Sequence, residues 1–386
     1  MQFSFATAQN ILFGCGSLSQ VAVHVARLGQ RALLVTGRDA ARTASLSRYL
    51  SAAGIDWIPY SVTREPEITH AVAGAERARR ERCALVIGMG GGSVMDTAKA
   101  IAALATNTEP VETYIEVIGR GQPLVHAPLP CIAVPTTAGT GSEVTRNAVL
   151  KSARHQIKVS LRDSRMLPVL ALVDPELTLS VPAAVTAATG CDALTQLLEA
   201  FVSAKANPMT DALCREALPR AARALPQAVM HGQDLQARSA MALASLFSGM
   251  ALANAGLGAV HGIAGPLGGM IDAPHGAICA RLLPYVVEAN VAAIKRQTPD
   301  SAALERFREV ACMLTGSPAA DVADGIAWLY GLIARLNIPD LAHWGLVTGK
   351  IPDLVLKAQQ ASSMRGNPIA LTDQELGDVV ERALGR

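Results

Sequence analysis

The chain has 386 residues, half of them apolar and 17% charged, with a formal net charge of +2. That length accommodates two domains with separate cores. The composition excludes a disordered chain, and the near-neutral charge without runs of Lys or Arg excludes a nucleic-acid partner. The seven cysteines are scattered with no CxxC pair, which fits free thiols in a reducing compartment.

Residues 1–18 lack a basic segment followed by an apolar core, and apolar stretches elsewhere are broken by Gly, Pro or charge short of membrane length. A soluble cytoplasmic protein with no membrane partner is expected. From residue 32 to 174, short apolar runs alternate with helical patterns: strands at 32–36, 55–62, 84–87, 131–134 and 169–173, and helices at 40–53, 67–80 and 95–105. Continuous apolar strands separated by helices indicate a mostly parallel sheet covered on both faces. After Asp174-Pro175 the pattern becomes Ala- and Leu-rich and helical, at 182–203, 211–230, 235–255 and 277–293. The expected organisation is an α/β dinucleotide-binding domain over 1–180 and an all-helical domain over 181–386.

Two loops follow buried strands. Gly88-Met89-Gly90-Gly91-Gly92-Ser93 opens the helix carrying Asp96 and Lys99. Its glycines let a backbone approach a pyrophosphate, and a helix N-terminus supplies amides and partial positive charge. Ser93 with Asp96 reads as a capping box. The spacing is not G-x-G-x-x-G, and a tight turn without ligand is the plain alternative. The second loop, Pro135-Thr136-Thr137-Ala138-Gly139-Thr140-Gly141-Ser142-Glu143, lies where open α/β sheets bind ligands.

In the helical half, Asp192 and Gln196 stand four residues apart and share a helix face, while His261 and His275 follow in a Gly-rich stretch. Carboxylate, amide oxygen and two imidazoles suit Fe(II), Zn(II) or Mn(II). Hydrogen bonds of Asp192 and Gln196 within a domain interface, and His261 as a core histidine, are the plain alternatives.

Gly90-Gly91-Gly92-Ser93 with Asp96 and Lys99, the Thr-rich loop from Pro135 to Glu143, Asp192-Ala193-Leu194-Thr195, Gly256-Leu257-Gly258-Ala259-Val260-His261 and Pro274-His275-Gly276 together resemble the iron-containing, group III alcohol dehydrogenases. The resemblance implies a dehydroquinate-synthase-like architecture: an α/β dinucleotide-binding domain, an all-α domain, and a divalent metal, Fe(II) or Zn(II), in the cleft between them. It implies that Gly90, Gly91, Gly92 and Ser93 bind the pyrophosphate of NAD or NADP near Asp96. Thr136, Thr137, Thr140 and Ser142 would line the phosphate, ribose and nicotinamide, and Lys158 would reach the nicotinamide ribose. Asp192, Gln196, His261 and His275 would hold the metal, with Asp192, His261 and His275 at the centre of catalysis, and a homodimer is expected.

Two positions depart from the family pattern. The usual ligand set is one Asp and three His, and the second-position His is Gln196 here; a further family histidine, associated with proton exchange, is Gly265. A divalent ion lowers the pKa of a bound hydroxyl, which is what hydride loss from an alcohol carbon requires. The strand at 32–36 ends in Gly37-Arg38 rather than a carboxylate, which favours NADP, with a surface cation as the alternative for Arg38. A small alcohol or aldehyde is the expected substrate. The competing readings are a maleylacetate-reductase-like oxidoreductase, a dehydroquinate-synthase-like lyase and a non-catalytic dinucleotide-binding protein.

Overall fold

The computed structural model describes residues 2–63, 65–155 and 157–385. Its contacts group the chain into two compact units, one from Thr7 to Ser180 and one from Val181 onward. The segment up to Ala6 belongs with the second unit instead of the first. Asn254 ties it there, accepting from the Ala6 amide at 2.8 Å and donating to the Ala6 carbonyl at 2.9 Å.

The first unit contains strands β1 (Ile11–Phe13), β2 (Arg31–Thr36), β3 (Asp56–Ser61), β4 (Leu85–Gly90), β5 (Cys131–Pro135), β6 (Asn147–Ser152), β7 (Ile157–Arg162) and β8 (Leu170–Val173). Six of them form a parallel sheet in the order β1-β8-β5-β4-β2-β3. Helices α1 (Val21–Ala26), α2 (Ala44–Ala52), α3 (Ile68–Arg80) and α4 (Gly92–Thr106) supply its cover. The two-residue period of the strands sorts their side chains onto two faces. Ala32, Leu34, Leu85 and Ile87 pack with Val21, Leu46 and Leu50, whereas Leu33, Val35 and Val86 pack with Ala71, Ala75, Ala78 and Ile101. Each strand therefore reads as a continuous apolar run.

The chain leaves β2 for one edge of the sheet and returns to β4 on the other side of β2. Adjacent strands whose connections diverge leave a crevice at their carboxyl ends, the usual ligand position in open sheets. Thr36 is aligned with Met89, so Gly37-Arg38 and the glycine loop leave the sheet side by side. Gly88 and Gly90 belong to β4 itself, and α4 begins at Gly92. A Cβ on Gly90 would stand 2.5 Å from Val94 Cγ2, and one on Gly92 would stand 2.7 Å from Thr140 Cγ2. These positions stay bare so that the helix can sit on the strand and the Thr-rich loop can approach the helix.

Three expectations change. The N-cap of α4 is Gly91, with no side-chain cap, so Ser93 and Asp96 form no capping box. Asp96 instead accepts from Ser142 Oγ at 2.5 Å and from the Val149 amide at 2.9 Å. The helix expected over 40–53 opens as a 3-10 turn, Ala40–Thr43, before α2, with Asp39 accepting from the Ala41 amide. The antiparallel pair β6 and β7 goes unanticipated because its strands alternate buried and half-buried positions and carry Lys and Arg, leaving no continuous apolar run.

Beyond residue 180, the described residues are helical: α5 (Ala183–Val202), α6 (Pro208–Met230), α7 (Leu235–Ala255), α8 (Ala259–Met270), α9 (His275–Gln297), α10 (Ala302–Thr315), α11 (Val322–Arg335), α12 (Ile351–Gln360) and α13 (Asp373–Ala383), with short 3-10 turns between some of them. Contrary to the reading of broken apolar stretches, α9 is long and apolar enough to cross a membrane by length and composition; 72% of its most apolar window is buried in the fold, as in a core helix.

Lys99 is fully buried in the first unit and donates to the Ser142 carbonyl and to Thr145 Oγ1, both at 2.9 Å. Glu143 is buried nearby, and burial pushes its carboxyl up to about 7, against the opposing pull of its own backbone amide and of Lys99. An acid whose folded pKa lies above its ordinary value of 4.5 holds a proton that the unfolded chain has lost. Its contribution to stability is complete below that ordinary value and disappears as pH rises through about 7. Unfolding free energy should therefore fall from pH 5 to pH 8 by on the order of 3 kcal/mol more in the wild type than in Glu143→Gln. Denaturant titrations at the two pH values check this; parallel pH dependences would contradict it.

Candidate metal centre and cofactor loops

Helix α5 is buried along nearly its whole length, and a 3.6-residue period places Asp192, Gln196 and Glu199 on one stripe. Bare glycines bring two other helices to that stripe. A Cβ on Gly276, in the first turn of α9, would meet the Ala188 carbonyl oxygen at 2.1 Å. That close crossing places His275, the first residue of α9, beside α5. Between α7 and α8 the chain turns by 100° through Gly256-Leu257-Gly258, with Gly256 at a φ of 74°. A Cβ on Gly258 would stand 2.9 Å from Glu199 Oε1, so only glycine lets the start of α8 reach that carboxylate.

Helix α8 has no cap from its own N-cap residue. Its first amides are satisfied from outside: Ala259 donates to Asn367 Oδ1 at 3.0 Å and Val260 to Glu199 Oε1 at 2.7 Å. The other Glu199 oxygen accepts from His261 Nδ1 at 2.6 Å. A buried carboxylate at a helix N-terminus thus caps the helix and orients the histidine on its first turn. It fixes the proton on Nδ1 and leaves Nε2 facing Asp192, whose Oδ1 is 3.2 Å away. Second-layer carboxylates orient metal-binding histidines in this way.

Cys279, one turn after His275, completes the cluster. Its Sγ is 3.6 Å from His275 Nε2 and 3.8 Å from His261 Nε2. Donor atoms of Asp192, His261, His275 and Cys279 all lie within 4.8 Å of one another. Burial would raise the Asp192 carboxyl, but the bond from His261, the nearby imidazoles and the bond from Gln196 outweigh it, leaving the pKa lowered. Burial would lower His261, yet Cys279, Glu199 and Asp192 hold it well above its ordinary range. His275 is raised chiefly by Cys279. Burial would raise the Cys279 thiol, and the two histidines bring it down overall. The donor set fits a divalent cation: two acidic groups and two imidazoles converge in a buried volume, with one imidazole braced from behind.

Gln196 does not direct its oxygen into this cluster. Its Oε1 accepts from Ser248 Oγ at 2.7 Å, a hydroxyl shared with the Ser245 carbonyl at 2.8 Å, and Gln196 adds to the groups that hold the Asp192 carboxyl low. This departs from the expectation that Asp192 and Gln196 both aim an oxygen at one ion; spacing brings the two side chains together, and Gln196 Oε1 lies against Ser248 on α7. Gly265, where the family pattern has histidine, has no atom within 4 Å of the place a Cβ would occupy. Glu199, Ser248 and Cys279 were not among the expected site residues. The signal for two of them was present in the sequence: Cys279 follows His275 by four residues, and Glu199 follows Gln196 by three.

In the first unit, Gly90, Gly91, Gly92 and Ser93 occupy the end of β4 and the first turn of α4, with Ser93 exposed. The Thr136 amide donates to the Gly90 carbonyl at 2.9 Å, and Thr137 Oγ1 would stand 3.4 Å from a Cβ on Gly91. Thr140 Oγ1 accepts from the Ser142 amide at 3.3 Å. The two loops thus form one surface. Asp96 and Ser142 lie behind it, committed to each other and to Lys99, which is 3.2 Å from Asp96 Oδ1. Gly37 accepts from Ser61 Oγ, Arg38 is exposed and reaches the Thr63 carbonyl at 3.5 Å, and Lys158 pairs with Glu65 at 2.6 Å.

Two family profiles match in succession. Residues 8–175 match the family described as iron-containing alcohol dehydrogenase, and residues 186–384 match the Fe-containing alcohol dehydrogenase family, C-terminal. The chain is 37% identical to the 1,3-propanediol dehydrogenase of Klebsiella pneumoniae over 390 aligned residues, covering 99% of this chain and 98% of that one. It is 33% identical to the NAD-dependent methanol dehydrogenase of Bacillus methanolicus, covering 97% of each chain. A crystal structure of a 1,3-propanediol oxidoreductase superposes with a TM-score of 0.92 at 35% identity, covering 99% of this chain and all of that one.

Replacing Glu199 with Gln keeps an oxygen for the Val260 amide and removes the charge that braces His261. Metal affinity should fall about 10- to 100-fold with the fold intact. Chelator competition beside circular dichroism measures it; unchanged affinity would contradict the bracing role.

Proposed function

The chain belongs to the iron-containing alcohol dehydrogenase family, an oxidoreductase family acting on CH–OH groups, and from that premise we propose that it interconverts a small primary alcohol and its aldehyde using NADP or NAD. The observation that carries this reading is the buried Asp192, His261, His275 and Cys279 cluster, braced by Glu199, in a chain whose glycine loop lies at the switch point of a parallel sheet. Family membership sets aside the lyase and the non-catalytic alternatives. When bound, a divalent metal, iron or zinc, supplies Lewis acidity toward the oxygen of the alcohol or aldehyde.

The chain's own residues do the rest. Asp192 and His261 hold donor atoms in place before any substrate arrives, so little reorganisation accompanies the reaction. Gly90, Gly91 and Gly92 let the pyrophosphate approach the backbone, and the N-terminus of α4 offers it amides and a favourable dipole. Thr136, Thr137 and Thr140 line the same surface. Ser142 and Asp96 act as its supports, joining the Thr-rich loop to α4 and to β6. Open space beside Gly265 leaves room for ordered water to carry the substrate proton.

The preference for NADP follows from the end of β2. The nearest carboxylate, Asp39, caps the turn after it, and Arg38 is exposed with a single long contact to a carbonyl. A guanidinium free to move suits a 2′-phosphate. Arg38→Ala should raise the KM for NADP about tenfold or more, since charge-assisted contacts contribute roughly 1.5–3 kcal/mol, and should leave NAD unchanged. Equal effects on both cofactors would remove the assignment of Arg38. For the wider reading, turnover of primary alcohols should vanish after chelation and return with ferrous iron or zinc, while NADPH fluorescence still reports binding to the chelated protein. Full turnover without metal would contradict it.

A further inference from the structure

We propose that Cys279, and not Gln196, supplies the fourth protein ligand, so that the metal is held by Asp192, His261, His275 and the Cys279 thiolate. This rests on the metal-dependent reading above and specifies the ligands of that site.

The distances carry the assignment. A tetrahedral ion with nitrogen ligands at about 2.0–2.1 Å and sulfur at about 2.3 Å has nitrogen-to-sulfur edges of roughly 3.6 Å and nitrogen-to-oxygen edges of roughly 3.3 Å. Cys279 Sγ lies 3.6 Å and 3.8 Å from the two imidazole nitrogens, and Asp192 Oδ1 lies 3.2 Å from His261 Nε2. Three of the six edges of a coordination polyhedron are thus matched, and all four donor atoms lie within 4.8 Å of one another. Cys279 is also buried and held one helical turn from His275, so both project from the same face of α9.

Gln196 is arranged otherwise. Its oxygen accepts from Ser248 at 2.7 Å, which leaves the cluster its amide nitrogen, a group with no lone pair available to a metal. Turning the amide over would set Oε1 against the Asp192 carboxylate. Gln196 is therefore a positioning residue that orients Asp192 from behind. An imidazole absent from α5 is replaced by a thiolate from α9, on a different helix and within the same cluster. A thiolate suits zinc or ferrous iron and disfavours the harder magnesium and manganese ions.

Zinc K-edge X-ray absorption on the zinc-loaded protein tests the assignment without relying on turnover. One sulfur scatterer at about 2.3 Å is expected in the wild type and in Gln196→Ala, and none in Cys279→Ser, whose zinc affinity should fall by about tenfold or more. Stoichiometric zinc with only nitrogen and oxygen neighbours in the wild type would overturn the Cys279 assignment and leave the metal-dependent reading standing. Failure of the wild type to bind zinc or iron stoichiometrically would overturn both.

Discussion

The candidate metal centre depends on one carboxylate. Glu199 is almost wholly buried, and its two oxygens satisfy the Val260 amide and His261 Nδ1 at 2.7 and 2.6 Å. A buried charge is tolerated only when it is paired and hydrogen-bonded, and here both partners come from the first turn of α8. The same contact ends the search of α8 for a cap, sets the tautomer of His261 and fixes where Nε2 points. The bare backbone of Gly258 makes it sterically possible. A side chain there would push α8 away from α5 and separate His261 from Asp192.

Charge balance connects this brace to the ligand set. Asp192 and a Cys279 thiolate bring two negative charges to the cluster, and the imidazoles are neutral when they coordinate. A divalent cation would balance those two charges, and the buried Glu199 carboxylate behind His261 adds a third. One aspartate with three histidines brings one negative charge fewer. A thiolate in place of an imidazole thus changes the charge of the ligand set, while Gln196 helps hold the Asp192 carboxyl low.

The sheet was legible because its strands are buried on both faces. Residues 32–36 and 84–87 read as apolar runs and form β2 and β4, and the glycines that end one of them mark the sheet's switch point. The β6 and β7 pair was not legible, because alternating half-buried strands with Lys and Arg resemble polar loops. Ser93 and Asp96 satisfied the spacing of a capping box while the real cap, Gly91, has no side chain. In the helical unit, Asp192, His261 and His275 were recognisable from their local motifs, and the fold brings them together. Nothing singles out Cys279 among seven scattered cysteines, since a single sequence does not say which helix faces which. The contact of Gln196 with Ser248 on α7 was beyond reach for the same reason.

The central claim is that a metal sits on α5, α8 and α9 within reach of four named side chains. Crystals of the metal-loaded enzyme, with diffraction recorded on either side of the metal's absorption edge, test it most directly. One strong anomalous peak is expected about 2.0–2.3 Å from the donor atoms of Asp192, His261, His275 and Cys279. A peak elsewhere in the chain, or none at this cluster in enzyme that turns over alcohol, would contradict it.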